Sequence, residues 1–127
     1  MRRPSSGQVL GAFLVSAGVT HFVAPGFFDK IVPHALPGPA RAWTYVSGVA
    51  EIGVGATVLR APGKGGLIAA ALFLAVFPGN IQQAVDATST QDRAISYARL
   101  PLQVPLVIWG LKVSRAAGRR ESRAPAR

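Results

Sequence analysis

Residues 42–59 read AWTYVSGVAEIGVGATVL, an apolar stretch long enough to cross a bilayer, with one carboxylate, Glu51, near its middle. A charge at the centre of a membrane helix costs about 2.5–3.5 kcal/mol on insertion scales, so Glu51 should face a polar partner or a watery cavity. Gly48 and Gly55 lie three residues before and four residues after it, on the same helical face. Because glycine lets a neighbouring helix approach closely, we expect Glu51 to point into a helix bundle.

The composition of the 127 residues is typical of a membrane protein. Half of the residues are hydrophobic and 15% are charged, against about 25% charged residues in a soluble domain. The net charge of +9 does not indicate a nucleic-acid partner, because the basic residues lie at the ends of apolar segments and near the C-terminus. The absence of cysteine excludes disulfides, thiolate catalysis and cysteine-held iron–sulfur clusters within the chain.

Four apolar segments alternate with short polar or proline-containing connections. They predict an all-α, up-and-down, four-helix transmembrane bundle in a single domain of residues 1–112, with spans over 7–24, 42–59, 67–85 and 94–111. Pro78 should kink the third span, and Pro101 and Pro105 should interrupt the fourth. Residues 113–127 are basic and rich in alanine and arginine, and they predict a disordered tail.

The distribution of lysine and arginine predicts the orientation. The first and third connections carry only Lys30, Arg41 and Arg93, whereas the N-terminus, the second connection and the tail carry Arg2, Arg3, Arg60, Lys64, Lys112, Arg115, Arg119, Arg120, Arg123 and Arg127. Since positive charge accumulates on the cytoplasmic side, both termini should be cytoplasmic in a multi-pass protein of the cytoplasmic (inner) membrane.

The first connection, residues 25–41 (PGFFDKIVPHALPGPAR), is too apolar to be a simple flexible linker. Phe27, Phe28, Ile31 and Val32 would give a short amphipathic turn at the membrane interface. This turn fits either a lid that folds back over the bundle or an interfacial anchor.

Each of the four spans offers a polar side chain at a similar depth, on the face assigned to the bundle interior. At ~1.5 Å per residue these side chains fall in the outer half of the membrane: His21, Glu51, Asn80, Arg99 and Gln103. Glu51 and Arg99 predict an ion pair, because either charge alone would be very costly in low dielectric. The set fits either a ligand-binding pocket or polar contacts that hold the helices in register.

The two histidines do not predict a metal site. His21 and His34 show neither HxxxH nor HxxE spacing. We expect His21 to be an interior histidine with satisfied hydrogen bonds, in preference to a haem ligand shared with His34. Phe73 and Phe77 are four residues apart, and this spacing favours core packing over a quinone slot.

Four blocks of sequence carry a family resemblance, and they cover roughly residues 11–110. They are HFVAPGFFDKIVPHALPGP (21–39), YVSGVAEIGVGATVLR (45–60), VFPGNIQQA (76–84) and RLPLQVPLVIWG (99–110). Together, in this order, they resemble the DoxX-like family of small four-helix membrane proteins. The resemblance implies a four-helix membrane fold and an association with respiratory or redox enzymes. The chain lacks the cysteines of some redox-linked relatives, which argues against thiol exchange.

The expected function is that of an accessory, non-catalytic subunit of a quinone-linked membrane redox system, with lipid and redox-enzyme subunits as partners. In the polar pocket, Arg99 would orient an anionic or carbonyl group, while Glu51 and His21 would exchange a proton. Two alternatives stay open at this point. One is a small-solute carrier that works as a homo-oligomer, and the other is a membrane scaffold whose basic tail recruits partners or anionic lipid.

Overall fold

The computed structural model describes residues 3–32 and 36–125, and these ranges form six α-helices without a strand. The helices are α1 (Ser6–Val23), α2 (Pro25–Asp29), α3 (Ala40–Arg60), α4 (Pro62–Ala75), α5 (Phe77–Asp86) and α6 (Thr90–Arg123). The all-helical prediction is confirmed. The four apolar segments of the sequence are helical, because they lie almost entirely within α1, α3, the α4–α5 pair and α6.

Three helical segments of the described chain are long and apolar enough to cross a membrane: Ser6–Val23, Pro62–Asp86 and Thr90–Arg123. Their outward faces expose large apolar side chains, among them Val9, Phe13, Leu67, Leu74, Leu102 and Val104. The buried positions include polar side chains beside apolar ones, among them His21, Thr44, Asn80, Ser96 and Gln103. An outer surface with so many large apolar side chains suits a lipid environment.

Helices α1 and α3 run antiparallel and touch through reciprocal glycines. A β-carbon added to Gly11 would lie 3.0 Å from the carbonyl oxygen of Gly55, and one added to Gly55 would lie 2.8 Å from the carbonyl oxygen of Gly11. Gly18 and Gly48 repeat the arrangement, at 2.7 and 3.0 Å. Backbones can approach this closely only where neither helix carries a side chain, as the glycine face of α3 predicted.

Helices α4 and α6 form a second pair of the same kind. A β-carbon on Gly66 would lie 2.6 Å from the carbonyl oxygen of Gly110, and one on Gly110 would lie 2.8 Å from that of Gly66. Gly65 joins the two pairs, because it lies directly against the backbone of Val58 on α3. Around these contacts lies a small apolar core of Leu10, Leu14, Val58, Ala69, Phe73 and Val113.

The prolines act differently in the two C-terminal segments. The predicted kink at Pro78 is confirmed, because α4 ends at Ala75 and Pro78 lies in the first turn of α5. The predicted interruption at Pro101 and Pro105 is wrong, since α6 continues through both residues. A helix tolerates internal proline where neighbouring helices support the backbone. Phe73 is in the core, whereas Phe77 is 38% exposed, so the core assignment fails for Phe77.

The basic tail also differs from the prediction. We expected disorder from residue 113, but α6 extends to Arg123. Alanine and arginine are strong helix formers, and the next proline after Pro105 is Pro125, beyond the end of the helix. Val113 is buried and packs in the apolar core, which ties the first turn of this extension to the bundle.

The glycine contacts predict a contrast between two substitutions on one helix. Gly55→Ala should lower the free energy of unfolding by about 1–3 kcal/mol, because its methyl group would overlap the backbone of α1. Gly53, two residues away, has no atom within 4 Å of an added β-carbon, so Gly53→Ala should be neutral or stabilise the protein by up to about 1 kcal/mol. Unfolding in mixed detergent micelles, followed by circular dichroism, measures both. Equal stability of the two variants would contradict close contact between α1 and α3.

Candidate functional site

A pocket of about 360 Å³ lies between the end of α1, the α2 segment, α3, the α4–α5 break and α6. Four of the five predicted polar residues line it: His21, Glu51, Asn80 and Arg99. Much of the remaining wall is apolar and comes from Phe28, Ile31, Val32, Leu36, Val76 and Pro78. Gln103 is buried but lies outside this lining.

His21 is the immediate neighbour of Glu51. Its Nδ1 lies 3.2 Å from Oε2 of Glu51 and 2.8 Å from the carbonyl oxygen of Ala17. A carbonyl only accepts, so Nδ1 carries a hydrogen and donates it to Ala17. Glu51 Oε2 therefore lies beside the imidazole without a hydrogen bond of its own, although it is buried. Glu51 lines the pocket, and this one oxygen of its carboxylate has no hydrogen-bond partner.

The predicted ion pair between Glu51 and Arg99 is not formed. The side chain beside Glu51 is His21, and Arg99 donates from a terminal guanidinium nitrogen to Oε1 of Gln83 at 3.2 Å. Helix α3 packs mainly on α1 and α4, whereas α6 packs on α4 and α5, so His21 is closer to the acid than Arg99 is. Arg99 still lines the same pocket, where its charge acts on Glu51 across the intervening space.

Two buried amides also have open hydrogen-bonding atoms. Asn80 is 2% exposed, and its Nδ2 has no partner. It lies in the first turn of α5, just after the break between α4 and α5, and it lines the pocket. Gln103 is 8% exposed, and its Oε1 is likewise unpartnered. An unsatisfied buried polar atom costs about 1–3 kcal/mol, so Asn80 is poised to donate to a group that enters the pocket.

Helix α2 and the residues after it, up to Val32, form a covering segment that lies along the pocket, a position that fits the lid alternative. The Phe28 ring stacks on the His21 imidazole, with 3.7 Å between centroids and 16° between planes. Farther along, the Ile31 carbonyl oxygen lies 3.3 Å from the position of a β-carbon on Gly79, a tight contact that brings the two backbones close together. The covering segment thus contacts α1 on one side and α5 on the other.

Asp29 links the covering segment to α3 through two side-chain hydrogen bonds. Its Oδ1 accepts a hydrogen bond of 2.6 Å from the Thr44 hydroxyl, and its Oδ2 accepts one of 2.9 Å from Nε of Arg41. The Thr44 bond is the main reason why the pKa of Asp29 is below its ordinary value of 3.8, and the Arg41 contact adds to it. Trp43 links the start of α3 to the preceding connection, because its indole nitrogen donates to the Pro37 carbonyl oxygen at 2.7 Å.

Sequence reasoning missed several residues of the site. Thr44, Ser47 and Trp43 line the pocket one and two turns before Glu51, and their helical spacing from it was a usable signal. The stack of Phe28 on His21 had no such signal, because a short proline-bounded turn sets it. Gln83 was missed as the partner of Arg99, since it lies on a separate helix.

The described residues contain no group of three or more His, Asp or Glu side chains placed to hold a metal ion. His34, which we considered as a second haem ligand, lies outside the described residues.

Fold and site together define an all-helical protein with helices suited to a membrane and a polar pocket under an apolar cover. Residues 10–114 match the family described as Domain of unknown function (DUF8561), so the chain belongs to that family. No curated protein and no solved structure matches the chain. This family match does not connect the chain to the DoxX-like family, so the resemblance to that family stays a prediction.

The Asp29 contacts predict a specific pH dependence. Because the pKa of Asp29 is lower in the folded protein, its contacts stabilise the fold above the ordinary pKa and are lost as the pH falls through the lowered one. In detergent, carbon-13 NMR should show Asp29 titrating below 3.8. Thr44→Val should raise the titration midpoint, since the hydroxyl bond is the largest single cause of the lowered pKa. An unshifted midpoint in Thr44→Val would exclude this bond.

Proposed function

We propose that the chain crosses the cytoplasmic membrane four times, through α1, α3, the α4–α5 pair and α6. The apolar outer surface, the short connections and the antiparallel glycine pairs support this up-and-down arrangement. An even number of passes puts both termini on one side, and the excess of basic residues at that end makes this side cytoplasmic. The pocket then opens toward the outer half of the membrane.

We further propose that the pocket binds a small ligand whose head group bears a carbonyl oxygen, and that a quinone is the first candidate. The observation that carries this proposal is the Nδ2 donor of Asn80, which has no partner although the residue is buried and lines the pocket. A ligand carbonyl would satisfy it and offset the cost of its burial. Arg99 supplies a second donor from α6, and the apolar side chains of the cover suit a ring or an acyl chain.

The open acceptor on Glu51 extends the fit to the reduced, hydroxyl-bearing form of such a ligand. A hydroxyl could donate to Oε2 of Glu51, and the adjacent His21 would support a negative charge there if it is protonated. The bound quinone would supply the redox chemistry, whereas the residues of this chain position its head group and hold or release a proton.

This role is that of an accessory subunit, because the electrons must come from a partner. The chain has no cysteine to hold an iron–sulfur cluster. The proposed partner is therefore a redox enzyme in the same membrane, as the resemblance to the DoxX-like family implies. The homo-oligomeric carrier and the non-catalytic scaffold remain as alternatives. Solute flux in liposomes would favour the carrier, and a protein that purifies without a ligand would favour the scaffold.

The proposed topology predicts which positions are accessible from each side of the membrane. The chain lacks cysteine, so single cysteines can be introduced without a background signal. Ser122→Cys, at the end of α6, should react with a membrane-impermeant maleimide only after the cells are opened. Thr88→Cys, between α5 and α6, should react in intact cells with a permeable outer membrane. The same accessibility at both positions would contradict the proposed orientation.

The proposed ligand site predicts a contrast between two buried amides. Asn80→Leu should weaken the binding of a short-chain ubiquinone about five- to tenfold, because it removes the open donor. The fold should be at least as stable as before, since an unsatisfied group is lost. Trp43 lines the pocket, so quenching of its fluorescence in a Trp109→Phe background measures binding.

Gln103→Leu is the matched control for this measurement. It removes an equally open amide that is buried outside the pocket lining, so quinone affinity should be unchanged. Binding that is equally weakened in both variants, or unaffected in Asn80→Leu, would overturn the assignment of Asn80 to the ligand.

A further inference from the structure

The end of the molecule opposite the pocket brings together several chain segments that are distant in sequence. Nε1 of Trp109 on α6 donates to the hydroxyl of Ser6 on α1 at 2.8 Å. A β-carbon on Gly7 would lie 3.5 Å both from Pro62, at the start of α4, and from Val113 on α6. The starts of α1 and α4 and the middle of α6 therefore meet at one level.

This end is strongly basic. Beyond that level α6 carries Lys112, Arg115, Arg119, Arg120 and Arg123, with Glu121 as its one acid. The neighbouring ends add Arg3, Arg60 and Lys64. At the pocket end the charges balance, because Lys30, Arg41 and Arg93 are matched by Asp29, Asp86 and Asp92.

The cations of the α6 extension are presented on one exposed face. Lys112, Arg115, Arg119 and Arg123 follow one another at three- and four-residue intervals, and all are exposed. The other side of the helix is held by the bundle, because Val113 is 4% exposed and Ala117 lies 3.7 Å from the position of a β-carbon on Gly63. The bundle thus fixes the direction in which the basic face points.

The length of α6 places the start of this face at the membrane surface. A helix of 34 residues is about 51 Å long at ~1.5 Å per residue, against about 30 Å for the hydrocarbon core, so α6 must leave the core. Trp109 precedes the first cation by three residues, at the position expected for an interfacial aromatic side chain. From Lys112 to Arg119 the axial rise is about 10 Å, close to the Debye length at physiological salt.

We propose that the exposed face formed by Lys112, Arg115 and Arg119 binds the phosphate groups of anionic phospholipids in the cytoplasmic leaflet. Lipid fits this face better than an acidic protein does, because its first cations lie within reach of the head groups and their long side chains can extend back toward the phosphates. The proposal rests on the membrane placement proposed above but not on the ligand of the pocket.

The test measures lipid preference with the full-length protein in detergent. Native mass spectrometry gives the association constants of added phosphatidylglycerol and phosphatidylcholine, and the wild type should favour phosphatidylglycerol. The double variant Arg115→Gln/Arg119→Gln should reduce that preference about 10- to 25-fold, from a factor of about five for each basic residue near the surface. Lys30→Gln/Arg93→Gln removes two exposed cations from the opposite end and should leave the preference unchanged.

Each other outcome of the lipid measurement overturns the proposal. Equal affinity of the wild type for both lipids would show that the face serves something else, such as an acidic protein. If Arg115→Gln/Arg119→Gln keeps the full preference for phosphatidylglycerol, or if the control variant loses as much of it, anionic lipid does not bind at the proposed face of α6. Extraction of the protein from native membranes by alkaline carbonate would refute the membrane placement itself. Failure of quinone to quench Trp43 would refute only the proposed pocket ligand.

Discussion

The contact between the backbones of α1 and α3 is the constraint on which the site depends. Two glycine pairs bring the helices so close that neither can rotate without a clash. Glu51 lies between Gly48 and Gly55 on the same face of α3, so it is turned inward with them. His21 follows Gly18 by three residues on α1 and is carried to the same level. The close contact between the glycines of α1 and α3 therefore brings the Glu51 carboxylate and the His21 imidazole next to each other.

The sequence was sufficient to predict the helical segments and the inward face of α3, because glycine spacing and apolar length are local properties. It was not sufficient to predict the partner of Glu51. Residue counting along each span gives depth in the membrane, but not which helices are adjacent. Arg99 lines the same pocket, yet α6 is not a main neighbour of α3 and His21 takes the nearer position. Gln103, one helical turn after Arg99, falls outside the pocket.

Errors in the rest of the chain have similar causes. Pro101 and Pro105 have high intrinsic costs in an isolated helix, but tertiary support lets α6 pass through them. Disorder of the tail was predicted from its basic, alanine- and arginine-rich composition, although alanine and arginine are also strong helix formers. For the covering segment, the apolar pattern predicted the position, whereas the bond between Asp29 and Thr44 joins residues 15 apart and left no local pattern.

The pairing of the helices also has a consequence for biogenesis. Both partners of the α1–α3 interface lie within residues 6–60, so the nascent chain holds this complete helical hairpin before α4 is translated. The second pair, α4 with α6, is complete only once the chain has been translated through Arg123. The bond between Ser6 and Trp109 joins α1 to α6 across 103 residues of sequence. This order of synthesis lets the α1–α3 pair form first, and the α4–α6 pair can then pack against it and complete the wall of the pocket.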